Sequence, residues 1–227
     1  MRGYAICTIG RSGSNWLCEM LSSTDRLGYP QEYFSTAGRR RFLDPAYPDD
    51  PCEQIRWILT RGASPNGVYG LKVFPSHLDT IAGRVRWADA LPRLSYVHLV
   101  RADVLGQAIS LTRANQTGRF RSTLTQLAAP HYDGEAISAN IRLFAHHDAR
   151  WVAFFARNAI APLRLTYESV AADPIAAVAS IAGLMDVRDS RMDVSRVEQE
   201  VSRDEVSESW RRRFLAEHAD PNVIEEI

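Results

Sequence analysis

The residues in this chain best suited to chemistry are five in a row: Arg11, Ser12, Gly13, Ser14 and Asn15. They follow a short apolar run, Tyr4 to Ile9, closed by Gly10. They precede a stretch in which Leu17, Met20 and Leu21 share one helical face. A loop that joins a strand to a helix in this way presents unpaired backbone N–H groups and the positive end of the helix dipole, which together bind phosphate or sulfate. Gly13 lets the backbone approach an anion, Ser12 and Ser14 add hydroxyl donors, and Arg11 adds a fixed charge with fork geometry. Ser14 is the expected helix N-cap. The pattern GxxxxGK[ST] is absent, because no Lys precedes Ser14, and this counts against a nucleoside-triphosphate kinase. An ordinary strand–helix turn with surface Ser and Arg would read the same way.

Four further residues could do chemistry: Arg101, Ser110, Glu32 and Lys72. Arg101 closes an apolar run and Asp103 can cap the helix that follows it, with Ser110 seven residues beyond the cap, about 10 Å along the axis. An anion held by both Arg101 and Ser110 would lie against the flank of that helix; alternatively, Arg101 simply pairs with Asp103. Glu32, beside Tyr33 and Phe34, is a carboxylate that could take a proton from an alcohol, or a surface residue in a loop. Burial would raise its pKa and Arg11 would oppose the rise, so the net direction is not readable. Lys72 is the single lysine among 27 basic residues and sits in an apolar stretch. Such an ammonium either stabilises negative charge or snorkels from a strand end.

The elements needed to position these groups follow from the pattern. Strands are expected at Tyr4–Ile9, Val68–Phe74, Leu94–Val100 and Leu163–Tyr167, with another short one before Pro30. Helices are expected from Ser14, over 53–60, over 78–90, after Asp103 (Leu105, Ala108, Ile109 and Thr112 inward), over 135–159, over 174–184 and near 209–217. In the long helix Ile137, Ile141, Phe144, Asp148, Trp151, Val152 and Phe155 run roughly in phase. Strands separated by helices imply a parallel sheet covered on both faces, a three-layer α/β fold of one domain over 1–227, with a loop-like helical annex over about 117–160. Two anion sites on successive strand ends of such a sheet are coherent, because ligands of open α/β sheets bind beyond the carboxyl ends of the strands.

The composition sets outer limits. With 227 residues and 45% hydrophobic content there is enough chain for one well-buried core. Nothing approaches the ~18 uninterrupted apolar residues of a membrane span. The N-terminal segment reads as a strand rather than a signal peptide. Cys7, Cys18 and Cys52 have no metal spacing, and a reduced, cytoplasmic setting is the simple reading. His146 and His147 are adjacent on a helix and face apart, which argues against a metal site there; His98 reads as a core histidine. Net charge is zero, a poor basis for general nucleic-acid binding. Yet residues 1–121 carry 16 basic and 10 acidic side chains and the remainder 11 and 17, an asymmetry that suits a small polyanion or is surface noise.

Taken together, TIGRSGSNWL (8–17), GYPQEYF (28–34), NGVYGLKVF (66–74), HLVRADVLGQAISLTRANQT (98–117) and SESWRRRF (207–214) resemble, in the same order, the PAPS-dependent sulfotransferases, and most closely the bacterial trehalose-2-sulfotransferase family. The resemblance covers nearly the whole chain. It implies a P-loop-NTPase-like sulfotransferase fold and transfer of a sulfuryl group from 3′-phosphoadenosine 5′-phosphosulfate (PAPS) to a hydroxyl of a carbohydrate, glycolipid or other sugar-bearing molecule. It implies no metal requirement. Arg11 to Asn15 and Trp16 would hold the 5′-phosphosulfate, and Arg101 and Ser110 the 3′-phosphate. The spacing of nine between the last two follows the trehalose-type subfamily and is one longer than in most sulfotransferases. Glu32 would be the base, with Arg11 and Lys72 assisting at the transferring group. Trp210, Arg211 and Arg212 belong to a segment, about 200–217, that closes over the nucleotide, where three consecutive arginines cannot all face one site. Arg113 and Gln116, with Tyr33, would lie near the acceptor, whose pocket falls to loops 36–50 and 117–134. A homodimer is left open. The competing readings are a small-molecule kinase and a catalytically silent nucleotide- or nucleic-acid-binding module.

Overall fold

The side chains of the first strand alternate between two hydrophobic clusters, and that alternation sets the layers. In the computed structural model, which describes residues 1–35, 37, 44–198 and 205–224, strand β1 (Arg2–Cys7) sends Tyr4 and Ile6 into one hydrophobic cluster and Ala5 and Cys7 into another. A strand buried on both faces needs cover on both. β1 pairs in parallel with β2 (Val68–Val73), placing Ile6 opposite Lys72, and with β3 (Leu94–Val100), placing Cys7 opposite His98. β4 (Leu163–Thr166) extends the sheet from β3, giving the order β2-β1-β3-β4. The order reverses between β1 and β3, so a crevice opens beyond their carboxyl ends.

The helices are α1 (Ser14–Ser23), α2 (Pro51–Thr60), α3 (Pro75–Ile81), α4 (Trp87–Ala90), α5 (Val104–Thr117), α6 (Gly134–Arg157), α7 (Tyr167–Ala172), α8 (Pro174–Leu184) and α9 (Glu205–His218). Leu17, Met20 and Leu21 of α1 and Val178 and Ile181 of α8 pack on the Tyr4–Ile6 face. Residues of α2, α5, α6 and α9 pack on the other, among them Ile58, Ile109, Phe144, Trp151 and Phe214. This is the three-layer parallel α/β fold expected from the pattern.

Local departures have local causes. The helix expected over 78–90 is two helices, because Gly83 turns the chain at φ 75° between them, and Pro75 starts α3 earlier by supplying a first-turn residue that needs no N–H partner. The short strand expected before Pro30 does not form. Gly28 takes φ 70° where a Cβ would lie 2.7 Å from the Gly70 nitrogen. Residues 29–31 then run beside the free edge of β2, with the Lys72 N–H donating to the Gln31 carbonyl at 2.9 Å. β4 stops at Thr166, whose hydroxyl accepts from the Ser169 N–H (3.0 Å) and opens α7, an element the sequence pattern did not reveal. In α6, Ile137, Phe144, Trp151 and Phe155 point inward, whereas Val152 is exposed. His98 is buried on β3, its Nε2 3.1 Å from Asp148.

Trp151 carries more than its area. Its indole N–H donates to the Thr8 carbonyl (2.9 Å) at the point where β1 passes into the loop. Trp151→Ala should therefore cost about 3–5 kcal/mol of unfolding free energy, read as a lower urea midpoint, and a loss under about 1 kcal/mol would refute that anchoring role.

Candidate functional site

The loop after β1 is held rigidly from below. The Thr8 hydroxyl donates to the Leu99 carbonyl of β3 at 2.7 Å, so the Ser12 hydroxyl, 2.7 Å away, is the donor between the two. Ser12 is fully buried, and its hydroxyl ties the loop to the sheet instead of facing outward. Arg11 adopts φ 62°, a strained conformation for a residue with a side chain. Gly13 takes φ 76°, and a Cβ there would lie 2.5 Å from the Tyr167 ring. Gly13, not Ser14, is the N-cap of α1, and no side chain caps that helix. The preference of Ser for caps lost here to the need for a left-handed residue under Tyr167. The first turn of α1 is thus left open to an external anion.

That turn lines a cavity of about 490 Å³ beyond β1 and β3. Gly13, Ser14, Asn15 and Trp16 form one wall, Arg101 the floor, Ser110 and Arg113 of α5 the second wall, and Ser207 and Arg211 of α9 the third. The Arg101 guanidinium lies 4.8 Å from the Tyr167 ring centroid, and its Nη2 is 3.5 Å from Asp103. Its Nε is buried without a hydrogen-bond partner among the described residues. Asp103 caps α5 through the Gly106 N–H and pairs with Arg211 at 2.6 Å. Burial opposes ionisation of Asp103, but Arg211, that N–H and Arg101 outweigh it and hold the carboxyl below its usual range. Glu168 of α7 accepts the N–H groups of Ala102 and Asp103, fixing the backbone around the Arg101 turn. Arg11 donates through Nε to Ser110 (3.0 Å) and through Nη1 to the Phe120 carbonyl (2.5 Å). Burial, followed by repulsion from Arg101, pushes its pKa down.

Glu32 and Lys72 adjoin this cavity through Asn15. Lys72 is 3% exposed, and its Nζ meets Glu32 Oε1 at 2.7 Å and Asn15 Oδ1 at 2.5 Å. His77 of α3 faces the other carboxylate oxygen, Nε2 to Oε2 3.9 Å. Burial raises the Glu32 pKa, yet Lys72 first, then His77 and Arg121, bring the net below the ordinary carboxylate value. The opposing charge is Lys72 rather than Arg11. His77 itself is pushed down to about 4 by burial, so its ring is neutral near pH 7.

The structure does not bring every candidate into the cavity wall. Tyr33 is buried in the core, its hydroxyl on the Tyr29 carbonyl. Gln116 accepts the His131 N–H (2.9 Å) and fastens the segment after α5. Trp210 is buried edge-on to Tyr132, ring centroids 5.9 Å apart, and Arg212 is exposed away from the cavity. Arg113 lines the wall and donates to Ser207 at 2.6 Å. Part of the first acceptor loop, residues 36 and 38–43, and residues 200–204 of the closing segment lie outside the described residues. Sequence reasoning missed Arg119 and Arg121, which line the cavity from the segment after α5; the only signal was two arginines flanking Phe120 directly behind the helix-ending Gly118. It also missed His77.

An open parallel α/β sheet with an arginine-lined cavity at its switch point is the frame of an enzyme that handles anionic groups. Residues 3–217 match the family model described as Stf0 sulphotransferase, and the chain belongs to that family: it is a sulfotransferase. It is similar to the trehalose 2-sulfotransferase of Mycobacterium tuberculosis (strain ATCC 35801 / TMC 107 / Erdman), 27% identical with 96% of each chain covered. It is also similar to the trehalose 2-sulfotransferase of Mycolicibacterium smegmatis, 28% identical over 72% of this chain and 76% of that one. The crystal structure of a sulfotransferase from Alicyclobacillus acidocaldarius shares the fold, with a TM-score of 0.50 at 16% identity, covering 95% of this chain and 92% of that one. No helix among the described residues is long and apolar enough to cross a membrane.

Because the Glu32 carboxyl is depressed in the folded chain, its contribution to stability is present above the ordinary value near pH 4.3 and is lost as pH falls through the folded value. Glu32→Gln leaves Lys72 buried without its counter-charge and should cost about 3 kcal/mol at pH 7. In urea titrations the gap to the wild type should narrow below about pH 4, and adding Lys72→Met should restore most of the loss; a gap independent of pH would contradict the pairing.

Proposed function

We propose that the chain transfers a sulfuryl group from PAPS to a hydroxyl of a carbohydrate, glycolipid or sugar-bearing small molecule. The observation that carries the donor half is the pairing of two anion positions in one cavity: the uncapped N-terminus of α1 beyond β1, and the buried, unpartnered Nε of Arg101 beyond β3. A donor with a phosphosulfate at one end and a 3′-phosphate at the other has charge in two separated places and fits a two-site cavity better than a single-phosphate ligand does. Arg11, Gly13, Ser14, Asn15 and Trp16 would line the phosphosulfate, with Ser12 shaping the loop from beneath. Arg101, Ser110 and Arg211 would meet the 3′-phosphate, with Trp210 seating α9 and Arg212 facing solvent.

When bound, PAPS supplies an activated sulfuryl group and leaves as adenosine 3′,5′-bisphosphate. The chain's own work is to orient, to hold charge and to take a proton. Glu32, ionised at neutral pH, takes the proton of the acceptor hydroxyl. Lys72 lies between Glu32 and the loop residue Asn15, where its ammonium can follow negative charge from the carboxylate towards the transferring group. The arginines and helix N–H groups carry the charge that a metal ion carries in kinases. Support for a carbohydrate acceptor comes from the relatives, both trehalose 2-sulfotransferases; the acceptor hydroxyl would have to reach Glu32, which Arg121 faces, whereas Arg113 is turned to Ser207 of α9.

Two measurements test this reading. Isothermal titration with adenosine 3′,5′-bisphosphate should show micromolar binding, weakened about 30-fold or more in Arg101→Ala through loss of charge-assisted bonds; binding of ATP with Mg²⁺ in place of the bisphosphate would replace the reading with a kinase. Glu32→Gln should lower kcat about 100-fold with bisphosphate affinity intact, and unchanged turnover would remove Glu32 from the reaction.

A further inference from the structure

We propose that His77 is a positioning residue for Glu32, donating its Nε2–H to the carboxylate oxygen that Lys72 leaves free. The inference rests on the reading of Glu32 as the base. His77 stands at the third position of α3, where its Nδ1 accepts the Phe74 N–H at 3.3 Å. A ring nitrogen that accepts a hydrogen bond carries no proton, so the proton of the neutral ring is on Nε2. The helix cap thereby fixes the tautomer, and it does so in the sense that aims a donor at Glu32.

The geometry separates the two oxygens of the carboxylate. Oε1 lies 2.7 Å from Lys72 Nζ, while Oε2 faces His77 Nε2 at 3.9 Å. A movement of about 1 Å of the Glu32 side chain towards α3 brings the second contact into hydrogen-bond range, and the Lys72 ammonium on its flexible stem can follow Oε1. The His77 ring has little freedom to turn away: its side chain is 12% exposed and it lies against the Phe74 ring, centroids 4.8 Å apart. A carboxylate gripped at both oxygens, from β2 on one side and α3 on the other, has its plane fixed and still offers a lone pair to an incoming hydroxyl. Positioning of this kind contributes to rate through orientation. Among the described residues the charged and titratable groups facing Glu32 are Lys72 from β2, His77 from α3, Arg121 from the segment after α5 and the Cys18 thiol from α1. Burial keeps His77 neutral, so it serves as a donor and not as a second cation.

The substitutions that separate capping from positioning are His77→Asn and His77→Gln. The Asn carbonyl can replace Nδ1 as acceptor for the Phe74 N–H but offers no donor at the place of Nε2, whereas the Gln amide can reach it. His77→Asn should keep the wild-type Tm and bisphosphate affinity, lower kcat about 10-fold with little change in KM, and move the acid limb of the kcat/KM profile to higher pH. His77→Gln should retain most of the activity and the wild-type limb. In a Glu32→Gln background, His77→Asn should add less than about a twofold loss, since the two residues act as one unit. A His77→Asn enzyme with normal kcat and an unmoved limb would reduce His77 to a helix cap, and a full additional loss in the Glu32→Gln background would show that it acts elsewhere. Should His77→Asn lower the Tm, the limb of His77→Gln decides, and its displacement overturns the proposal. Wild-type turnover in Glu32→Gln alone would instead sink the assignment of Glu32, a result distinguishable from each of these.

Discussion

A buried ammonium cannot stand alone in an apolar sheet, and the organisation of this site follows from where Lys72 finds its partners. Lys72 lies on the edge strand of the sheet, 3% exposed, on the face that α1 covers. Leaving such a charge without a counter-charge would cost several kcal/mol. Its partners come from two different segments: Glu32 from the chain running along the sheet edge and Asn15 from the first turn of α1. The backbone bond from Lys72 N–H to the Gln31 carbonyl and the turn at Gly28 bring the first of these alongside. One side chain therefore couples the carboxylate to the anion loop, and moving either segment would expose the ion pair or break it.

The cavity itself shows the opposite economy. Among the described residues six arginines line it against three carboxylates, and two of those carboxylates are already engaged, Asp103 by Arg211 and the α5 cap, Glu168 by backbone N–H groups. The cationic excess is held apart by rigid anchors rather than by counter-ions. Thr8 and Ser12 tie the loop to β3, and Trp151 holds the Thr8 carbonyl from the opposite layer. Charges fixed in this way need little rearrangement to meet an anion, which is what makes preorganised cations effective.

The parts of this picture that were legible in the sequence are the ones local rules control. Strand–loop–helix at RSGSN, strand-end Arg101 and the Asp103 cap are each specified within a few residues. Two kinds of information were not legible. One is helical direction: Trp210, Arg211 and Arg212 differ by about 100° each around α9, so only Arg211 reaches the cavity, Trp210 enters the core and Arg212 meets solvent. The other is non-local pairing. Ser12 looks like an anion donor until Thr8 and Leu99 are seen beneath it, and His77 looks like an arbitrary residue after Pro75 until the sheet edge delivers Glu32 opposite. Even the cap of α1 was decided from afar, by the Tyr167 ring that leaves no room for a Cβ at position 13.

The charge asymmetry of the chain then acquires a location. Of the six arginines around the cavity, five (Arg11, Arg101, Arg113, Arg119 and Arg121) come from the basic part, residues 1–121. They stand on the loop after β1, the loop after β3, helix α5 and the segment behind it, elements that flank the reversal in strand order. Part of the excess is thus gathered at the site. The division between arginine and lysine has a parallel logic. A guanidinium is a fixed fork, suited to clamping the oxygens of phosphate and sulfate at set distances, whereas an ammonium is a compact point charge on a flexible stem. The cationic side chains lining the cavity are all arginine, and the single lysine lies between a carboxylate and the loop beside it.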